Sequence, residues 1–155
     1  MSADGSPVST APLMDRAQIE ARIPHRPPML LVDRVLEKSD KHLVGEYTFP
    51  AEAFYFQGHY PDYPLVPGVI LCEACMQCGA ILLSEHAAEG VPVATRMNDV
   101  RFRKMVRPGE TVRMRVELVE RVANAFFMQG KITRGTEVVL RFEFACAAAK
   151  PGEDA

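Results

Sequence analysis

The pattern of apolar and polar residues along the chain predicts one buried helix and a series of β-strands. The longest apolar run covers residues 69–83, and only Glu73 and Gln77 in it are strongly polar. These two residues are four positions apart, so they share one face of a helix. Pro67 suits the first turn of a helix, and the run contains no further proline. A helix that is apolar nearly all round belongs in the middle of a fold, so we predict that this run forms a central helix.

Shorter periodic segments flank this helix. Residues 15–22 predict a short helix that ends before Pro24, and residues 29–36 and 42–49 predict two strands. The second half of the chain predicts further strands at residues 100–103, 112–118, 125–134 and 140–146. A curved antiparallel sheet of about five or six strands, wrapped around one apolar helix, satisfies both patterns. The expected fold class is therefore α+β.

The chain is predicted to form a single domain over residues 14–149. Residues 1–13 lack any period and are rich in small polar residues, so we interpret them as a disordered tail. Residues 150–155 are interpreted as a loose C-terminal tail. At 155 residues the chain is long enough for one real core.

Composition and charge narrow the class of protein. The chain is 48% apolar and 25% charged, as is usual for a soluble globular protein. Its net charge of −2 gives no reason to expect a nucleic-acid partner. The N-terminal residues lack the basic-then-apolar pattern of a signal peptide, which places the protein in the cytoplasm. The apolar run is shorter than the roughly 20 residues of a membrane span, so no span is predicted.

Three cysteines in the apolar run allow two interpretations. Cys72, Cys75 and Cys78 form a C-x2-C-x2-C spacing that resembles part of an iron–sulfur ligand set. However, no C-x3-C-P continuation follows, and the three lie in the most apolar stretch of the chain. We interpret them as small buried side chains in a reduced compartment, and we predict neither a metal site nor a cofactor.

The candidate chemistry lies at the start of the predicted helix. A carboxylate such as Glu73 in an apolar helix is costly unless it is paired or protonated. His59 precedes it in a stiff segment rich in aromatic residues, glycine and proline. A histidine beside aromatic residues is often structural, but here one group could take a proton while the other gives one. Gly68 and Val69 offer backbone N–H groups at a helix start, so these residues together suit removal of a proton alpha to a carbonyl.

Several motifs together resemble one family. They are residues 24–35, 56–61, 67–74 and 100–104, together with 107–109. In this order and spacing they resemble the FabZ-type 3-hydroxyacyl-[acyl-carrier-protein] dehydratases of dissociated fatty acid synthesis. The G-H-x-P and P-G-V-x-x-x-E-A elements, with His59 and Glu73 14 positions apart, are this family's hallmark. The resemblance covers about residues 15–148 and implies the hot-dog fold, a long central helix wrapped by an antiparallel sheet.

The resemblance also implies roles for individual residues. His59 would remove the C2 proton of a 3-hydroxyacyl thioester, and Glu73 would help to protonate the departing 3-hydroxyl. The N–H of Gly68, next to Val69, would polarise the thioester carbonyl. Gln77 would orient Glu73 or a water molecule, or else be a plain core amide. Related dehydratase-isomerases carry aspartate at the position of Glu73, so the glutamate favours a plain dehydratase.

The family further implies two kinds of partner. One is an acyl carrier protein bearing a phosphopantetheine-linked 3-hydroxyacyl chain. The other is a second copy of the chain, because His59 of one subunit is expected to face Glu73 of the other, in a dimer or a trimer of dimers. The basic residues Arg101, Arg103, Lys104 and Arg107 are either the wet face of a strand or a docking patch for the acidic carrier.

Two alternatives to the dehydratase remain. A hot-dog acyl-thioesterase would use the same pocket but add water to the thioester carbonyl. A non-catalytic acyl-binding subunit would pair with an active partner, although such a subunit has no reason to keep both His59 and Glu73. Arg96 and residues 93–95 stand where the family often places apolar tunnel residues, so the sequence leaves the acyl chain length unassigned.

Overall fold

The computed structural model of the protein describes residues 11–150, 152 and 154, without the side chains of residues 87–89. Most of the tail predicted at residues 1–13 and half of the tail predicted at residues 150–155 therefore lie outside the described residues. At the inner end of the first tail, the backbone N–H of Leu13 donates a hydrogen bond of 2.8 Å to the carbonyl of Val35.

The described chain forms one long helix and a six-stranded sheet. The elements are α1 (Arg16–Glu20), β1 (Arg34–Lys38), β2 (His42–Thr48), a 3₁₀ turn (Phe54–Phe56), α2 (Gly68–Leu82), a second 3₁₀ segment (Leu83–Glu89), β3 (Val91–Phe102), β4 (Thr111–Val122), β5 (Ala125–Arg134) and β6 (Glu137–Ala149). All neighbouring strands are antiparallel, in the order β1-β2-β4-β5-β6-β3. One face of this sheet covers α2, which confirms the predicted α+β architecture.

Two glycines of the sheet allow α2 to approach it closely. A Cβ atom on Gly45 of β2 would lie 2.6 Å from Sγ of Cys78, and one on Gly130 of β5 would lie 2.9 Å from Sγ of Cys75. Side chains at these sheet positions would therefore push the helix outward. All three helix cysteines are buried and free, which confirms their interpretation as small core side chains.

The strand predicted at residues 29–36 is wrong over residues 29–33, because β1 begins only at Arg34. The buried amide of Gln77 occupies the backbone groups that a sheet ladder would need. Its Oε1 accepts the N–H of Leu31 at 2.7 Å, and its Nε2 donates to the carbonyl of Met29 at 2.6 Å. The apolar residues that suggested a strand are instead packed into the core as an irregular segment.

Length alone does not argue against a membrane span, contrary to the expectation from the sequence. The helical stretch Gly68–His86 has 19 residues, and 18 consecutive residues within it have a mean hydropathy of 1.4, enough by length and composition to cross a membrane. However, 61% of these 18 residues are buried inside the fold, as expected for a core helix. Among the residues that the structure describes, no other helix is long and apolar enough to cross a membrane.

The sheet ends in β3, a strand that begins nine residues earlier than the segment predicted at residues 100–103. β3 pairs with β6 on one side only, and most of its side chains are exposed. This exposure on both faces hides the alternating pattern that reveals an inner strand. The free edge of β3 presents unpaired N–H and C=O groups of the kind that pair readily with another strand.

Candidate active site

His59 is held by the backbone of the segment that leads into α2. Its Nδ1 lies 3.0 Å from the carbonyl oxygen of Leu65. A carbonyl oxygen can only accept, so Nδ1 carries the proton and Nε2 keeps its lone pair in the neutral ring. The Tyr60 ring packs edge-on against the imidazole with ring centroids 4.7 Å apart. The backbone fixes a partly buried imidazole with a free basic nitrogen.

Glu73 lies on α2 with one carboxyl oxygen buried. No hydrogen-bond partner reaches its Oε2 within the described part of the chain. Burial raises the pKa of this carboxyl, while the neighbouring amide of Gln77 acts in the opposite direction. Burial, and then the charge of Glu73, raise the pKa of the Cys146 thiol to about 11. This environment favours the protonated form of Glu73, as a general acid requires.

Gln77 lies one turn after Glu73 and is only 1% exposed. Because both amide atoms bond to the backbone at Met29 and Leu31, this side chain ties the segment before β1 to α2. The same amide acts on the carboxyl of Glu73, as its effect on that pKa indicates. The predicted role of Gln77 in orienting Glu73 or a water molecule for the substrate stays a prediction.

The N-terminus of α2 is open to an incoming group. Pro67 is its N-cap and provides no side-chain hydrogen bond, and Val69 is 74% exposed. Among the groups that the structure describes, no acceptor bonds to the N–H groups of Gly68 and Val69. The Phe102 ring lies over Gly68 so closely that a Cβ atom there would come within 2.7 Å of it. The sequence analysis did not identify Phe102 as a site residue. Its position as an apolar residue between Arg101 and Arg103 was a signal that could have found it.

His59 and Glu73 are not joined within one chain. Among residues 11–150, neither a hydrogen bond nor an ion pair links the two side chains. Each side chain has its own contacts instead. The imidazole of His59 bonds to the carbonyl of Leu65, and the carboxyl of Glu73 lies on α2 beside the amide of Gln77.

The structure divides the predicted basic cluster. Arg101 lies on β3 and pairs with Asp99 at 2.9 Å. The other three residues follow β3 and line an open cavity of about 500 Å³ with Phe102 and Met105. Within this cavity, Lys104 pairs with Glu137 at 3.5 Å. The interpretation of the whole run as one strand face is therefore wrong, because β3 ends at Phe102.

Arg134 is a further cation of this cavity that sequence reasoning missed. It comes from β5, and its Nη1 donates to the carbonyl of Met105 at 2.6 Å and to Glu110 at 2.7 Å. Nothing in the local sequence separates it from other strand arginines. Arg96 lies elsewhere, with its guanidinium 5.9 Å from the centre of the Phe127 ring. No group of three potential metal ligands was found among the described residues.

Comparisons with known proteins agree with this geometry. The family model of the FabA-like domain matches residues 23–143. The 3-hydroxyacyl-[acyl-carrier-protein] dehydratase FabZ of Caulobacter vibrioides is 39% identical over 148 residues, which cover 92% of each chain. The same enzyme of Geobacillus thermodenitrificans is 38% identical over 138 residues, covering 87% of this chain and 95% of the relative.

Solved structures show the same fold. The dehydratase heterocomplex ApeI:P from Xenorhabdus doucetiae aligns with a TM-score of 0.75 at 18% identity, covering 87% of this chain and 93% of its own. The PaaI protein of E. coli, from the phenylacetic acid degradation operon, aligns with a TM-score of 0.60 at 14% identity, covering 73% and 80%. The chain therefore belongs to the FabA-like family and, within it, to the FabZ-type 3-hydroxyacyl-[acyl-carrier-protein] dehydratases.

Proposed function

We propose that the protein dehydrates 3-hydroxyacyl thioesters on an acyl carrier protein to trans-2-enoyl thioesters, in cytoplasmic, dissociated fatty acid synthesis. The observation that carries this proposal is the buried, unpartnered carboxyl oxygen of Glu73. Burial raises the pKa of this carboxyl, which favours the protonated form that can donate a proton in water elimination. The dehydratase names of the relatives support the same reaction.

In this proposal His59 is the base. Its Nε2 removes the C2 proton of the substrate, and the C–H electron pair moves toward the thioester carbonyl. The imidazolium that forms donates through Nδ1–H to the carbonyl of Leu65, a contact that strengthens when the ring is charged. Leu65 thereby sets the tautomer of the free ring and stabilises its protonated form.

The developing negative charge falls on the thioester oxygen. The free N–H of Gly68, at the positive end of α2, is a suitable donor for it, with Val69 beside it. The electron pair then forms the C2=C3 bond as the 3-hydroxyl leaves with the proton of Glu73. The products are the enoyl thioester and water, and return of the proton from His59 to Glu73 restores the starting state.

We further propose that two subunits share each site. The free edge of β3 is suited to pair with the same edge of a second copy, which would join two sheets. In that dimer His59 of one subunit would face the carboxyl of Glu73 in the other. The lack of a bond between these residues within residues 11–150 of one chain agrees with this arrangement, and such dimers could assemble further into a trimer of dimers.

The carrier protein is proposed to dock beside the N-terminus of α2. The cavity lined by Arg103, Lys104 and Arg107 adjoins Phe102, whose ring lies over Gly68. Cations here would meet the acidic surface of the carrier and bring its arm to the proposed oxyanion donor. Arg101 would contribute from the neighbouring end of β3.

The experiment that tests this function follows both possible products of a 3-hydroxyacyl thioester. A dehydratase forms an enoyl thioester, seen by its absorbance, whereas a thioesterase releases free thiol. The expected result is enoyl formation without thiol release by the wild-type protein. Replacement of His59 by Ala or Glu73 by Gln should each lower that rate by about 10²–10⁴-fold, the usual value of one acid–base group.

Circular dichroism and the thermal midpoint serve as controls for the fold in these variants. Thiol release without enoyl would replace the proposal by a thioesterase. Near-normal turnover of either variant would remove that residue from the acid–base pair.

A further inference from the structure

The outer face of the sheet carries four cations directly opposite one another. Arg115 of β4 pairs with Lys131 of β5, Lys131 pairs with Arg141 of β6, and Arg141 pairs with Arg101 of β3. Opposed residues of an antiparallel sheet lie on the same face. Because adjacent strands are about 4.8 Å apart, the four residues form a row about 14 Å long. We call these four residues the cation row.

The cation row lies on the side of the sheet away from α2. Neighbouring positions on the strands, such as Gly130 and Phe142, point inward to Cys75 and the core. Like charges directly opposite each other in a sheet are destabilising. A purely structural sheet has no reason to place four cations in one such row.

The carboxylates near the cation row are already engaged. Three acidic residues share a groove of about 400 Å³ with the row and Arg103, namely Asp99, Glu117 and Glu143.

Asp99 pairs with Arg101 at 2.9 Å, and Glu117 pairs with Arg115 at 3.0 Å. Glu143 accepts a hydrogen bond of 2.7 Å from the amide of Asn98. Among the side chains that the structure describes, no carboxylate lies within ion-pair distance of Lys131, Arg141 or Arg103. Five cations and three carboxylates line the groove, so it keeps a net positive charge.

We infer that this groove binds a small phosphorylated anion, with Lys131 and Arg141 at its centre. Arginine presents a fork of N–H donors that fits phosphate oxygens, and lysine adds a mobile point charge. The volume of the groove falls within the range of small-ligand pockets. An anion with two or more charges would offset the repulsion between the two central cations. This inference does not depend on the proposed chemistry of His59 and Glu73, because the groove lies on the face opposite α2. It shares only Arg101 and Arg103 with the proposed carrier-docking residues.

The test is titration of the full-length protein with sodium diphosphate in a calorimeter, at fixed pH and ionic strength. The compared variants are the double substitution Lys131→Gln/Arg141→Gln and the control Arg113→Gln. Arg113 lies two residues before Arg115 on the same face of β4, but it is paired with Glu46 at 3.3 Å. We expect saturable binding by the wild-type and control proteins, and at least a tenfold loss of affinity in the double variant. Sodium citrate at equal ionic strength should bind more weakly, since phosphate geometry is required.

Thermal unfolding provides a second readout. Without ligand, the double variant should unfold at a higher temperature than the wild type, because two opposed cations are gone. Diphosphate should then raise the midpoint of the wild-type and control proteins but not that of the double variant. Turnover of a small pantetheine-type thioester should be unchanged in the double variant, which shows that its fold is intact.

Three results would overturn the inference. The first is absence of saturable diphosphate binding by the wild type, and the second is equal binding by the double variant. The third is slower turnover of carrier-linked substrate in the double variant without any diphosphate binding by the wild type, which would make the cation row a protein-docking surface. None of these results bears on enoyl formation by His59 and Glu73.

Discussion

Glu73 combines a carboxyl group with a mostly apolar helix, so its protonation state affects the stability of the fold. Burial raises its pKa above the usual value of 4.5. The folded protein therefore holds this proton more tightly than the unfolded chain does. The resulting stabilisation is fully present below pH 4.5 and is lost as pH rises through the raised pKa.

The variant Glu73→Gln lacks this proton equilibrium. The free energy of unfolding of the wild type, relative to that of the variant, should fall as pH rises above 4.5. Urea unfolding of both proteins at several pH values measures the difference. A difference that stays constant with pH would mean that Glu73 is not held in its protonated form.

Single residues also show how far the sequence can be interpreted. His59, Glu73 and Gly68 could be singled out because a polar residue in an apolar run, a stiff aromatic segment and a helix start are local patterns. The tautomer of His59 could not be predicted from the sequence, because it depends on the hydrogen bond to the carbonyl of Leu65. The place of Arg134 in the cavity could not be predicted either, because only the folded position of β5 brings this residue to Met105 and Glu110.

The central helix and the sheet depend on each other through small residues at their contact. Gly45 of β2 has room for a Cβ atom only if Sγ of Cys78 is absent, since the two would be 2.6 Å apart. The substitution Gly45→Ala alone should cost about 1–3 kcal/mol through overpacking. Combined with Cys78→Ala it should cost at least about 1 kcal/mol less than the sum of the two single changes.

A double-mutant cycle in urea unfolding measures this coupling. The exposed Gly58, where a Cβ atom would meet no atom within 4 Å, gives the matched control Gly58→Ala. Additive effects of Gly45→Ala and Cys78→Ala would show that helix and sheet do not meet closely at this point.

At the level of elements, periodicity predicted the long helix and the inner strands correctly. It failed at residues 29–33 because the amide of Gln77, 46 positions after Leu31, takes up backbone groups that a strand would use. It also missed the first nine of the 12 residues of β3, because an edge strand with two exposed faces has no alternating pattern. Both errors arise from contacts between distant parts of the chain, which local periodicity does not contain.

At the scale of the whole molecule, the proposed docking of the carrier protein depends on the cavity beside the N-terminus of α2. The double substitution Lys104→Glu/Arg107→Glu leaves Arg103 in place, because Arg103 also lines the groove with the cation row. We expect kcat/KM for carrier-linked substrate to fall about tenfold through slower association, and added salt to reduce the difference between the proteins.

A small pantetheine-type thioester never meets this surface, so its turnover should change little. Arg113→Glu, which changes an exposed arginine on another part of the sheet, is the control. Equal losses on both substrates would mean that Lys104 and Arg107 serve the pocket or the fold instead of docking.

The central claim is that His59 of one subunit and Glu73 of its partner act together in one dehydratase site. The most direct measurement mixes inactive His59→Ala chains with inactive Glu73→Ala chains, lets the subunits reassort and follows enoyl formation. Each mixed dimer would hold one site with both residues intact and one with both replaced. With random pairing about half of the dimers are mixed, so about a quarter of wild-type activity should return. If the subunits demonstrably exchange and no activity returns, the acid and the base do not come from different chains, and the shared site is contradicted.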